Sequence, residues 1–361
     1  MADGSGAFEF TSAVEAATLP IWEKVRSRVT PLEWRVQAPL IAAINALKAD
    51  KNAVILAHNY MTPDIFHGVG DFVGDSLGLA REAARSDAKI IVQAGVHFLA
   101  ETSKVLCPDK TVLIPDLRAG CSLAASITGA DVRLIKQRYP GVPVVTYVNT
   151  TAEVKAETDV CCTSANAVQV VEHVAREWGV DRVILIPDEF LARNVARQTD
   201  VKIIAWQGRC EVHERFDATD IAELRAAYPG AEILAHPECP TEVIEASDFT
   251  GSTAAMSDYV LSRKPKQVVL ITECSMADNV ACDAPDTEFV RPCNLCPHMK
   301  RISLENIYEA LLNDRHVVEV DEAIAVRARR AVQAMIDMPP LAIPARYDLV
   351  KARHHVDVEL I

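Results

Sequence analysis

The 361-residue sequence contains no apolar run long enough to cross a membrane; stretches such as KIIVQAGV (89–96) and QVVLIT (267–272) are strand-sized. Its first twenty residues carry two Glu and one Asp, and no basic segment there leads into a long apolar core, so they do not read as a secretory signal. A cytoplasmic protein without membrane attachment is the expectation. Positive charge is in short supply, with 37 Lys and Arg against 50 Asp and Glu and a net charge of −13, which argues against nucleic acid as the main partner. A local pocket for small anions remains compatible with that balance. Neither a P-loop nor a GxGxxG pattern occurs. Ten cysteines are too dilute for a disulfide scaffold, and a reducing compartment keeps them as thiols, most of them reading as buried small apolar side chains.

What the chain does have is a packed composition, half apolar and 24% charged, and length for two or three domains. It also repeats. ILAHNY (55–60), VTYVN (145–149) and ILAHPE (233–238) align at their ends, with His58, Tyr147 and His236 spaced by 89 residues, as are Tyr60, Asn149 and Glu238. About a dozen residues later, DFVGDS (71–76), DVCCTS (159–164) and DFTGST (248–253) each place a hydroxyl five residues after an Asp: Ser76, Ser164 and Thr253. A period near 89 is a repeat of whole domains, since solenoid units run about 20 to 50 residues.

Each copy reads as near-continuous apolar strands alternating with amphipathic helices, the pattern of a parallel sheet covered on both faces. Strands are expected at 53–59, 89–95 and 112–116, then 144–149, 182–188 and 202–206, then 231–237 and 267–272. Helices are expected at 77–86, 98–107, 165–179, 189–198 and 254–263, with others at 35–49, 127–139, 218–228 and 305–312. A less regular connection runs toward RPCNLCPHM (291–299). The fold class is therefore α/β, with three homologous α/β/α domains around a central site. Approximate bounds are an extension at 1–40, domains at 41–140, 141–228 and 229–320, and a helical segment from 321 that Pro339, Pro340 and Pro344 interrupt.

In parallel sheets ligands sit beyond the carboxyl ends of the strands, where His58, Tyr60, Tyr147, Asn149, His236 and Glu238 fall. Ser76, Ser164 and Thr253 precede helices, so each is either an N-cap or part of an anion site at a helix start. Cys121 and Cys210 lie 89 residues apart, each after an apolar strand, and Cys296 best fits the third position. One thiolate per domain would ligate three irons of a cubane and leave the fourth open, although soft ligands also suit zinc. The rival grouping is Cys293 with Cys296, a CxxC that would begin a zinc or disulfide-exchange site, yet no second CxxC occurs. These features point to an iron–sulfur enzyme acting on a polyanionic small molecule. A different iron–sulfur hydro-lyase would share the cluster without the paired strand-end sets, and a cluster-bearing sensor would need a partner-binding segment.

The segments LAHNY, DFVGDSLGLAREA, AGCS, TYVNTTAEVKAETDVCCTSANA, AHPECP, DFTGSTAAM and CNLCPHMKRISLENI, between residues 55 and 307, resemble the quinolinate synthase family, commonly called NadA. The resemblance implies one [4Fe–4S] cluster per chain on Cys121, Cys210 and Cys296, acting as a Lewis acid with an open iron. It implies condensation of iminoaspartate with dihydroxyacetone phosphate to quinolinate, releasing phosphate and water, in NAD biosynthesis. It also points to a functional link with L-aspartate oxidase or aspartate dehydrogenase as the source of iminoaspartate. His58 and Tyr60 are then expected to orient substrate and assist ring closure, Tyr147 and Asn149 to grip it, and His236 and Glu238 to form the third pair, with Glu238 the general base. Ser76, Ser164, Ser252 and Thr253 correspond to hydroxyls that hold carboxylate and phosphate oxygens. The CxxC replaces a longer cysteine run found in some members and leaves the role of Cys293 open.

Overall fold

The structure, a computed structural model, describes residues 8–339 and 358–361; the expected interruptions at Pro340 and Pro344 lie outside the described residues. It contains three separate parallel sheets of one topology. The first runs β2 (Phe72–Gly74), β1 (Ala53–His58), β3 (Ile90–Ala94), β4 (Thr111–Leu113). The second runs β6 (Val160–Cys162), β5 (Val144–Tyr147), β7 (Arg182–Ile186), β8 (Lys202–Ala205), and β13 (Glu359–Leu360) from the chain end is added at its edge. The third runs β10 (Phe249–Thr250), β9 (Glu232–Ala235), β11 (Gln267–Ile271), β12 (Glu288–Val290). Three sheets with helices against them make three pseudo-symmetric α/β/α domains. Among the described residues, no helix is long and apolar enough to cross a membrane.

The repeated aspartates turn out to be structural. Asp71, Asp159 and Asp248 each accept the backbone N–H of a residue in the first strand of their sheet, from Ile55, Val144 and Ile233, all at 2.8 Å. Each also pairs with a cation from the preceding helix: Lys48 at 2.8 Å, Lys136 at 3.0 Å and Arg225 at 3.0 Å. One carboxylate thus ties helix, first strand and the short second strand together in every copy. Charge-assisted hydrogen bonds of this kind contribute about 1.5–3 kcal/mol when shielded, less where the pair is exposed.

Local chemistry sets the helices. Helix Pro31–Lys51 starts with a capping box from Thr30 and Glu33 and with Pro31 in its first turn, and ends at Asn52 with φ 51°. Helix Ala167–Trp178 buries Ala167, Val170, Val171, Val174 and Ala175, one face at helical spacing, and stops at Gly179 with φ 65°. Burying each of those valines stabilises by roughly 1.5–3 kcal/mol. Helix Glu322–Asp337 packs on helix Ala152–Ala156, on β6 and on helix His97–Leu106, so it joins the first and second units. The irregular connection expected after 272 is ordered instead: helix Ser275–Asp283 and β12 complete the third sheet. The residues before 31 include a further helix, Ser12–Val25.

Candidate active site and metal centre

The carboxyl ends of the three sheets face one cavity. His58 ends β1, Tyr147 ends β5, and His236 follows β9, and all three line it. So do Tyr60, Asn149, Glu238, Ser76, Ser164 and Thr253. Ser252, expected to bind substrate, is buried outside the lining and caps helix Thr253–Arg263 by accepting the N–H of Ala255 at 3.3 Å. The other hydroxyls are not caps. Asp75 rather than Ser76 caps helix Ser76–Arg85, accepting from Gly78 at 2.8 Å. Thr253 Oγ1 accepts from Asn59 Nδ2 at 2.8 Å, a contact between first and third units. Among the described residues lining the cavity there is no Lys or Arg, so the groups there that could meet an anion are hydroxyls, imidazoles and helix starts.

The imidazoles share a geometry that follows from the repeat. The Tyr60 N–H donates to His58 Nδ1 at 3.2 Å, and the Glu238 N–H donates to His236 Nδ1 at 3.3 Å. An Nδ1 used as acceptor places the proton on Nε2, so His236 donates from Nε2 to Ser164 Oγ at 3.3 Å. Burial pushes His58 down to about 4 and His236 to about 3, and both rings are neutral near pH 7. Burial likewise raises the phenols of Tyr60 and Tyr147 well above their ordinary value, so both stay protonated.

Glu238 is the anion among these neutral donors. Burial would raise its carboxyl, but the adjacent imidazoles of His213 and His236 and the hydrogen bonds from His213 and the Tyr147 phenol prevail and hold it below the ordinary carboxylate range. His213 Nδ1 lies 2.7 Å from Oε2, and Asn149 Nδ2 donates to Oε1 at 3.3 Å. Asn149 Oδ1 is a buried acceptor with no protein partner among the described residues. With Nδ1 of His213 donating to the carboxylate, Nε2 accepts from Thr272 Oγ1 at 2.9 Å, and Thr272 accepts from the Tyr60 phenol at 2.7 Å. The result is a continuous chain, Glu238–His213–Thr272–Tyr60, along which a proton can be relayed. His213 and Thr272 were not among the residues expected from sequence. His213 lies three residues after Cys210, and Thr272 directly follows β11, so the strand-end rule applied to third strands as well as first strands finds it.

Cys121, Cys210 and Cys296 line the same cavity. Each sits in the loop after the fourth strand of its sheet, beyond β4, β8 and β12 respectively; β12 supplies the strand that the third copy lacked in the sequence reading. All three are free thiols. Burial pushes Cys121 up to about 12 and also raises Cys210 and Cys296. Thiols held protonated by burial become ligands when a soft cation compensates the thiolates, so the donor set fits a metal centre of iron–sulfur type. Cys210, His213 and Glu238 additionally place one ligand atom each within 4.8 Å of one another. Cys293 does not join them. The bridge Glu273–Asn294 brings the Cα atoms of Cys274 and Cys293 to 5.0 Å, and the two are paired as a disulfide. The expectation that all ten cysteines are thiols is corrected to that extent: Cys293 is paired with Cys274 and not with Cys296.

Comparison with known proteins agrees with this geometry. Residues 42–337 match the family model described as quinolinate synthetase A protein. The chain is 76% identical over 352 residues to the quinolinate synthase of Caulobacter vibrioides, covering 98% of this chain and 96% of that protein. It is 63% identical over 325 residues to quinolinate synthase 1 of Mesorhizobium japonicum, covering 90% and 99%. With the quinolinate synthase of Xylella fastidiosa it shares 64% identity over 296 residues, covering 82% and 86%.

Proposed function

The chain belongs to the quinolinate synthase family and is an enzyme of that type, and from this premise we infer that it condenses iminoaspartate with dihydroxyacetone phosphate, with Cys121, Cys210 and Cys296 holding a [4Fe–4S] cluster. The observation that carries this reading is one thiol from the equivalent loop of each domain, all on the cavity that the three strand-end sets also line. When bound, such a cluster with an open iron supplies Lewis acidity toward a hydroxyl or carboxylate oxygen.

The protein's own groups do the rest. Ser76 and Thr253, each the first residue of its helix, and Ser164, in the turn before helix Ala167–Trp178, bind substrate oxygens at three separate places, which spaces a phosphate from carboxylates. Asn149 Oδ1 accepts a substrate N–H or O–H, and the Nε2–H groups of His58 and His236 donate to anionic oxygens. A carboxylate oriented on one imidazole nitrogen leaves the other nitrogen as the site that takes up a proton. The basic unit is therefore Glu238 acting with His213: the carboxylate fixes the tautomer and stabilises the imidazolium, and Thr272 and Tyr60 carry the proton to or from substrate. Glu238 alone, held low by its three donors, is a weaker base than the pair. Neutral, buried Tyr147 fixes the other side of the carboxylate.

The test is anaerobic purification or reconstitution, assay of iron and sulfide, and detection of quinolinate from the two proposed substrates. A chain carrying about four irons that makes no quinolinate would sink the substrate assignment. An iron-free chain with full turnover would sink the cluster.

A further inference from the structure

The turn at 59–61, which carries Tyr60, is held by the third unit at every carbonyl. Asn279 Nδ2 donates to the carbonyls of Asn59 at 3.0 Å and Met61 at 2.7 Å. Lys300 Nζ donates to the carbonyl between them, that of Tyr60, at 2.7 Å. Lys300 is the member of this set that also reaches the metal-binding loop. Its ammonium lies 3.0 Å from Glu273 Oε1 and 2.6 Å from Ser275 Oγ. Glu273 has a fully buried side chain. Its Oε2 accepts the Ser275 N–H at 2.8 Å, and its Oε1 accepts the Cys296 N–H at 3.5 Å, a long contact. The backbone closes the loop again, because the Lys300 N–H donates to the Cys296 carbonyl at 3.1 Å.

Neither side chain lines the cavity, so neither touches substrate. With Glu273 buried and Lys300 partly so, the ion pair is weak evidence for stability alone, since an apolar pair of similar volume often does as well. What this pair does that an apolar one cannot is hold a backbone N–H on one side and a backbone carbonyl on the other, in two different units.

We propose that Glu273 and Lys300 are a positioning pair that sets the Cys296 thiol and the Tyr60 phenol in one frame, so that the third ligand of the metal centre and the end of the proton chain keep a fixed relation. The proposal rests on Cys296 being a metal ligand, as read above. Displacement of a reacting group by about 1 Å costs up to about a hundredfold in rate, which is the scale on which such a pair acts.

Lys300→Met alone leaves a buried, unpaired carboxylate, so the informative variant is the charge-free double Glu273→Gln/Lys300→Met, compared with Lys300→Arg and with Cys296→Ala. The measurements are melting of the metal-free proteins, iron and sulfide bound after anaerobic reconstitution, and kcat and KM per iron. The double variant should fold, bind less than half the wild-type iron, and show kcat per bound iron reduced about ten- to a hundredfold with KM within about threefold. Lys300→Arg, which still donates to both Glu273 and the Tyr60 carbonyl, should recover wild-type iron and most of kcat. A double variant that melts lower yet binds full iron and turns over at the wild-type kcat would reduce the pair to a structural role. A folded Lys300→Arg with no more iron or kcat than the double variant would equally overturn the proposal. Full iron in Cys296→Ala would remove the ligand reading beneath it, an outcome distinct from both.

Discussion

Replacing Glu238 by Gln separates proton handling from shape. The carboxylate accepts from His213 Nδ1 at 2.7 Å through Oε2 and from Asn149 Nδ2 at 3.3 Å through Oε1. The shorter bond decides the orientation of the introduced amide, whose oxygen stays on His213 while its NH2 turns to Asn149. Asn149 can meet it by rotating its own amide, because Asn149 Oδ1 has no protein partner among the described residues. The substituted side chain therefore fits. The charge-assisted bonds to the carboxylate become neutral ones, a loss of about 1–2 kcal/mol for each that the removal of a buried charge partly offsets. Chemistry is a different matter. Without the carboxylate the imidazolium of His213 is not stabilised, and loss of a positioned acid–base unit costs about 10²–10⁴-fold in turnover, or roughly 3–5 kcal/mol. No sulfur ligand is touched. The expected result is full iron, quinolinate binding within a few-fold of wild type, a small change in melting, and a large loss of kcat. The assay is anaerobic quinolinate formation normalised to iron. Near-normal turnover of an iron-replete Glu238→Gln enzyme would refute the role of the Glu238–His213 unit.

Three other outcomes are expected. Cys121→Ala, Cys210→Ala and Cys296→Ala should each fail to retain iron on reconstitution, whereas Cys293→Ala, which removes only the partner of Cys274, should keep most of it; iron analysis of the four proteins decides. Ser164→Ala removes the hydroxyl that accepts from His236 and that is placed to hold a substrate anion. Its loss should weaken substrate binding about ten- to a hundredfold, measured as KM or analogue affinity, while melting changes little because Ser164 is not a cap. The third concerns pH. His58 and His236 are held at about 4 and about 3, below their ordinary 6.5, by burial. Above pH 6.5 folded and unfolded chains both carry them neutral, so they contribute nothing; as pH falls from 6.5 toward 4 the unfolded chain takes up protons that the folded one refuses, and stability is lost. Each should cost about 2 kcal/mol by about pH 5. Urea midpoints of the metal-free protein at about pH 7 and pH 5 should show this loss, and it should be largely absent in His58→Gln/His236→Gln.

Much of this was legible from residue order because the repeat is written in long apolar strands. The first and third strands of each copy are four to six residues of near-continuous apolar character, and the helices after them show clear faces. The second strands were not legible. β2, β6 and β10 are two or three residues long, too short for any periodicity, and they hide inside the Asp-to-hydroxyl segments. The purpose of those aspartates was equally hidden, since it lies in a backbone N–H some fifteen residues upstream and a cation on the preceding helix. Cys274 and Cys293 are 19 residues apart in sequence and meet through the Glu273–Asn294 bridge beside β11 and β12, a pairing that no spacing rule would indicate. The three thiols that line the cavity could be grouped from sequence because they follow the repeat. His213 and Thr272 were missed because each belongs to one copy alone.

That contrast explains how one repeated unit builds an asymmetric site. Three positions keep their chemistry in all three copies: an Asp on a first-strand N–H and a Lys or Arg on that Asp, which hold the scaffold, and a thiol after the fourth strand, which lines the cavity. Positions at the ends of the first strands have diverged, into His and Tyr, Tyr and Asn, His and Glu. Threefold symmetry suits a trigonal set of thiols, which needs three like donors converging on one point. It does not suit proton transfer, which needs an acceptor at one end of a chain and a donor at the other. The proposed proton chain meets that need by drawing on single copies: Tyr60 from the first unit, His213 from the second, and Thr272 and Glu238 from the third. Every link therefore crosses a boundary between units, from Glu238 to His213, from His213 to Thr272 and from Thr272 to Tyr60. Separation of the units by even an ångström would break the relay while leaving every sheet intact, so activity should be lost before secondary structure when the packing between units is loosened by mild denaturant. Parallel measurement of turnover and far-ultraviolet circular dichroism across a urea titration checks this: coincident midpoints would show that the units do not separate before they unfold.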